Sequence, residues 1–193
     1  MQKSIFVGGD ELNEAYRRVG MIVGACAQLE HALAYLEWQL TAYSWDAEHQ
    51  TSSPAERQTA LRAERQEWDK YATLECRLKF VTKAFEKGAV SGRISKEERL
   101  KELRRHWEIL RESARELGKK RNEIGHTYLS WHLGQQVVVR EVGRPWGEQN
   151  PVSEAEDNAL AKAMSNLGIE IGRFTTELGT LLPFADDDQF ITA

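Results

Sequence analysis

The feature that most constrains this chain is a run of apolar residues at alternating steps of three and four: Leu100, Leu103, Trp107, Leu110, Ala114 and Leu117. That spacing is the buried seam of a helix. Continued, it reaches positions 121, 124, 128 and 131, where Ile124, Tyr128 and Trp131 keep the pattern and Arg121 breaks it. A guanidinium aimed at a packing face needs a partner or a task, because an unpaired buried charge is strongly unfavourable. On the neighbouring face Gly118, Asn122 and Gly125 line up, and Asn122 and His126 stand four residues apart on one side of the helix. Glycine inside a helix costs about 1 kcal/mol relative to alanine. Two such residues are tolerable where another backbone, a ligand or a second subunit comes close. The spacing therefore predicts one flexible cation, one amide and one imidazole around a small-residue groove.

Other helix starts are written as capping boxes, in which a serine and a glutamate three residues on satisfy each other's backbone donors. They stand at "SPAE" (53–56), "SKEE" (95–98) and "SEAE" (153–156), and Asp10 is a further cap. The expected helices run over 10–43, 54–87, from 96 into the motif, and 154–182, the last stopped by Pro183. In the first, Leu12, Tyr16, Val19, Val23, Cys26, Leu29, Leu33, Leu36 and Leu40 are expected on the inner side. In the second, Trp68, Tyr71, Leu78, Val81 and Phe85 carry the packing. Between the third and fourth helices the β-branched run Val137 to Val139 and Gly134 predict a short β-hairpin or single strand, and "RPWGEQNP" reads as loop. The result is an all-α, four-helix up-and-down bundle. It reads as a single domain over 1–193, with its core in 10–182 and an acidic tail over 184–193.

The longest uncharged apolar run is about "VGMIVGACA", far short of the ~20 residues that span a bilayer. No signal peptide is read at the N-terminus. The expectation is a cytoplasmic protein with no membrane partner, its two cysteines, Cys26 and Cys76, being buried thiols. The net charge of −4 argues against a general nucleic-acid binder, but the distribution is uneven. Residues 99–121 carry nine basic against four acidic side chains. Such a segment can hold a phosphate backbone, or can be a solvated helix face laced with ion pairs. Lys119 and Lys120 bring that positive field up to Arg121. His31, His49, His106 and His132 lack metal-ligand spacing, and no glycine-rich phosphate loop occurs. No metal and no cofactor are expected. Trp131 and Trp146 could stack bases near the motif.

The residues "RNEIGH" at 121–126 resemble the Arg-x4–6-His motif of HEPN domains, all-α proteins in which the residue after the arginine is typically polar and most often asparagine. Arg121, Asn122 and His126 match it position for position. Thr127 departs from the small residue that often follows the histidine. Arg99 and His106 satisfy the bare spacing too, but Leu100 follows that arginine. The resemblance covers the motif closely and the helical frame loosely. It implies a helical bundle with the motif on a late helix, a homodimer with two motifs facing each other, and a metal-independent ribonuclease, often a toxin or defence effector. RNA would then be the partner and substrate, with an antitoxin or other regulator as a further partner. The chemistry agrees with the residue types. An imidazole titrating near ~6.5 can move the 2′-OH proton, and a guanidinium can hold the phosphoryl oxygens in a bidentate grip. Glu30, an isolated acid in an apolar helix, is the expected buried counter-charge that orients Arg121. The alternative is a non-catalytic helical module that binds nucleotide, RNA or a partner protein through the same groove.

Overall fold

In the computed structural model the described residues are 9–48, 53–69, 73–87, 90, 94, 96–125, 127–132, 137–142 and 148–182. They form five helices, α1 (Gly9–Glu48), α2 (Pro54–Asp69), α3 (Leu74–Lys87), α4 (Glu97–Gly125) and α5 (Glu154–Leu181). Three strands, β1 (Thr127–His132), β2 (Val137–Val142) and β3 (Glu148–Pro151), lie between α4 and α5. The chain is predominantly helical. Its residues divide into two compact units, one of Met1–Leu29 with Ala114–Leu167, the other of Glu30–Ser113 with Gly168–Ala193.

In the first unit, Ile22, Ala25 and Cys26 of α1 form a buried cluster with Leu160, Ala161 and Met164 of α5, and Leu117 and Ile124 of α4 pack against it. Arg18 pairs with Asp157 and Gln28 accepts a hydrogen bond from Ser165, so α1 and α5 run in the same direction here. The strand order is β1-β2-β3, both pairings antiparallel, with Tyr128 opposite Glu141 and Glu141 opposite Gln149. Val138 and Val139 point to opposite faces of the sheet, and both are buried.

The second unit is built around Phe174 of α5. Its ring lies 5.8 Å from Phe85 of α3 and 6.2 Å from Trp107 of α4, and His106 meets it edge-on at 5.1 Å. The Trp107 indole N–H donates to the Thr82 hydroxyl at 3.0 Å, which satisfies a donor that burial would otherwise orphan. Arg104 donates from Nε and Nη2 to the Phe85 carbonyl at 3.1 and 2.7 Å, covering an acceptor in the last turn of α3. Glu37 pairs with Arg77, and Glu177 with Arg99. Leu61 is the one buried residue among the described side chains of α2. Beyond it stand Arg57, which donates to Asp46 at 2.7 Å, and Arg65, 5.3 Å from the Trp38 ring centre.

Several expectations require correction. The helix predicted over 54–87 is two helices. Thr73 caps α3, its hydroxyl accepting from the Cys76 N–H at 3.3 Å, and this cap is hidden inside a continuing apolar pattern. Side chains of Trp68 and Tyr71 lie outside the described residues, whereas Leu78, Val81 and Phe85 are buried as expected. The seam of α4 ends with the helix at Gly125, so Tyr128 and Trp131 belong to β1. Glu148–Pro151, read as loop, is the edge strand β3, a position where a proline is tolerated. On α1 the inner face is turned in its first half. Ala15, Arg18, Ile22, Ala25 and Leu29 are buried, while Tyr16 and Val23 are 54% and 45% exposed. From Val19 to Leu29 the helix carries no charge on any side, so hydropathy alone could not choose the face. Buried Arg18, matched by Asp157, decides it.

Two capping boxes lie among the described residues and Ser95 of the third lies outside them. At α2 the box is reciprocal. The Ser53 N–H and hydroxyl both donate to Glu56 at 2.8 Å, and the Glu56 N–H returns to the Ser53 hydroxyl at 3.3 Å. The Ser53 backbone N–H, then its hydroxyl, hold the Glu56 carboxyl below its ordinary range. A carboxyl depressed in the folded state adds stability above its unfolded value of about 4.3, and that stability is lost as pH falls through the folded value. Glu56→Gln is therefore expected to melt below the parent at neutral pH, with the gap closing as pH drops below about 4. Melting curves across that range check it, and a gap that persisted in acid would contradict this role for the charge.

Candidate functional site

The site is the last two turns of α4, where the seam loosens. Leu103, Trp107, Leu110 and Ala114 are buried, whereas Leu117, Arg121 and Ile124 are only partly so. Ile124 and Leu117 still reach the core cluster of the first unit. Arg121, between them in the register, has more room than a core position gives. Its Nη1 donates to the side-chain oxygen of Asn122 at 3.0 Å. The amide thus holds the guanidinium from the adjacent position through one of its five donors.

Four basic residues in the half of α4 that belongs to the second unit are engaged. Arg99 meets Glu102 and Glu177, Lys101 meets Glu97, Arg104 holds the Phe85 carbonyl and Arg111 meets Glu108. Lys119 and Lys120 are exposed, and among the described residues neither they nor Arg121 make an ion pair. The three cations are consecutive and stand just before the last turn of α4, which itself carries no basic residue.

The other site residues are distributed differently. Asn122 is exposed while Gly118 is buried, covered by the chain itself, so the two do not share one open groove. Gly125 closes α4. His126 lies outside the described residues, as do Trp146 and the side chain of Trp131. Glu30 is partly buried on α1 and belongs to the second unit, whereas Arg121 belongs to the first. A cleft of about 250 Å³ lined by Thr82, Phe85, Glu86, Arg104, Trp107 and Glu108 lies in the second unit, and no motif residue lines it.

One chemically distinct group escaped the sequence reading. Cys26 is buried as expected, but Cys76 is partly exposed. It sits in the first turn of α3, and the Thr73 hydroxyl donates to its sulfur at 3.2 Å. That hydrogen bond, followed by the backbone one, lowers the thiol below its ordinary range. The signal was a threonine three residues before a cysteine at a helix start. A thiol reagent at neutral pH is expected to label Cys76 and not Cys26 until the protein unfolds, and Thr73→Ala is expected to slow the labelling. Equal labelling of both cysteines in the folded protein would contradict this.

No family model, no curated protein and no solved structure matches the chain.

Proposed function

We propose that the chain is a metal-independent endoribonuclease of HEPN type, with a HEPN-like helical bundle as its frame and Arg121 and His126 as its catalytic residues. The observation that carries this reading is the cluster Lys119, Lys120 and Arg121, which makes no ion pair among the described residues, with Arg121 tied to the exposed Asn122 at 3.0 Å. A purely structural seam arginine would be neutralised by an acid or a carbonyl, as Arg18 and Arg104 are. In the proposed reaction His126 takes the proton of the ribose 2′-OH, and the 2′ oxygen attacks the adjacent phosphorus. The bond to the 5′ oxygen breaks, leaving a 2′,3′-cyclic phosphate and a 5′-hydroxyl. Arg121 holds the phosphoryl oxygens as negative charge builds on them. Lys119 and Lys120 draw the strand to the helix end. A homodimer would supply a second imidazole as general acid. A cytoplasmic location, and a toxin or defence role under an antitoxin or other regulator, go with this reading.

The test is incubation of the purified protein with total RNA and with transfer RNA in excess EDTA, beside Arg121→Ala and His126→Ala. The expected result is cleavage by the parent that both variants lose. Folded parent protein that leaves every RNA intact would favour the non-catalytic module instead.

A further inference from the structure

The sheet of the first unit has two edges, and the sequence treats them differently. The strand order β1-β2-β3 leaves one side of β1 and one side of β3 without a neighbouring strand. An open edge is a row of backbone donors and acceptors ready to pair with another chain, and proteins ordinarily blunt it with charge, proline or shortness. β3 has all three, being four residues long with Glu148 at its start and Pro151 at its end. β1 has none of them. It is six residues long and holds no proline, aspartate, glutamate, lysine or arginine. Among the described residues no backbone hydrogen bond reaches β1 except those of its ladder with β2. This edge begins where the basic end of α4 stops. Arg121 stands four helical residues before Gly125, and Thr127 follows two residues later. At 1.5 Å per helical residue and at most about 3.6 Å per extended one, the Cα atoms of Arg121 and Thr127 are within about 13 Å. Lys119, Lys120 and Arg121 make no ion pair among the described residues. At about 100° per residue they cover about 200° of the helix circumference, so a chain arriving there meets a cation from most directions. Glu123 is the one acid between them and β1, which leaves this stretch net positive.

We infer that β1 is a docking edge for an extended acidic peptide segment of another protein, which adds a fourth strand to the sheet. The main chain of the segment pairs with β1, and its acidic residues, at the end beside Thr127, meet Lys119, Lys120 and Arg121. The cations alone suit a nucleic-acid strand equally well. The edge decides between the two, because a peptide carries amide donors and carbonyl acceptors at the spacing of a strand and a phosphodiester backbone does not. β1 brings no acid of its own to repel the segment. A seated segment occupies the cations that the proposed reaction uses, so it also blocks cleavage of RNA. That last consequence alone rests on the ribonuclease reading.

The probe is a fluorescein-labelled synthetic peptide in which a run of aspartates precedes alternating threonine and valine, titrated with the full chain and followed by anisotropy. Beside it stand the same peptide with lysine for aspartate, and two versions N-methylated on every second amide, one for each phase of the strand. The aspartate peptide is expected to bind, the lysine peptide at least ~10-fold more weakly, and N-methylation to abolish binding in one phase only. The double variant Lys119→Glu, Lys120→Glu changes exposed side chains. It is expected to keep the parent's melting temperature and to lose affinity for the aspartate peptide by a similar factor. Bound peptide is expected to slow amide hydrogen exchange across Thr127–His132. Absence of binding, equal binding of the lysine peptide, or indifference to N-methylation in both phases would overturn the inference. So would protection confined to α4, or β1 amides that slow with protein concentration alone, which would mean pairing with a second copy. Binding is read without RNA, so failure of the ribonuclease reading leaves this result standing.

Discussion

Asp157→Ala is expected to lower the unfolding free energy by about 3–5 kcal/mol, because it strands the buried Arg18 guanidinium. The Asp157 and Arg18 side chains are 1% and 8% exposed, with Nε 3.4 Å from Oδ2. Glu14 approaches the same arginine at 3.6 Å from a solvated position and cannot replace a buried carboxylate. Asp157 also lies in the first turn of α5, where a negative charge is favoured by the helix dipole. The companion experiment separates loss of a partner from loss of the pair. Replacing both residues by leucine should recover most of the stability, since a well-packed apolar pair often equals or exceeds a buried ion pair. Chemical denaturation of the three proteins gives the answer. A single variant within about 1 kcal/mol of the parent would mean that water reaches Arg18.

Arg121→Ala is expected to show the opposite signature, a large loss of function at little cost in stability. Among the described residues its guanidinium makes one side-chain hydrogen bond, to Asn122, and no ion pair. Removing a partly exposed side chain of that kind should change stability by no more than about 0.5 kcal/mol. If the guanidinium stabilises the phosphorane-like transition state, RNA cleavage should fall by about 10²–10³-fold, as for other preorganised donors. Arg121→Lys keeps the charge and loses the planar fork, so an intermediate rate is expected. His126→Ala removes the proton carrier, for which ~10²–10⁴-fold is the ordinary loss. Single-turnover rates in EDTA, with melting temperatures beside them, check all three. A strongly destabilised Arg121→Ala would place the arginine in the core instead.

How far the sequence could be read depended on contrast between faces. On α4 apolar and charged positions alternate clearly, so the seam and the place where Arg121 interrupts it were legible. On the first half of α1 that contrast is missing, and Tyr16 and Val23 were assigned to the wrong side. The buried Arg18 that fixes the true face looks, in sequence, like a solvent residue beside Arg17. The break between α2 and α3 was illegible because Thr73 caps a helix without the usual acidic partner three residues on, where Cys76 stands instead. β3 was missed because Glu148, Gln149, Asn150 and Pro151 have little strand propensity and pair only as an edge. At the site, the residue types pointed to Arg121 and Asn122. Which cations were already consumed elsewhere on α4 required the ion pairs themselves.

The aromatic cluster of the second unit has a consequence for how that unit responds to stress. The rings around Phe174 join α3, α4 and α5. Backbone amides in those stretches are therefore expected to open together, near global unfolding rather than ahead of it.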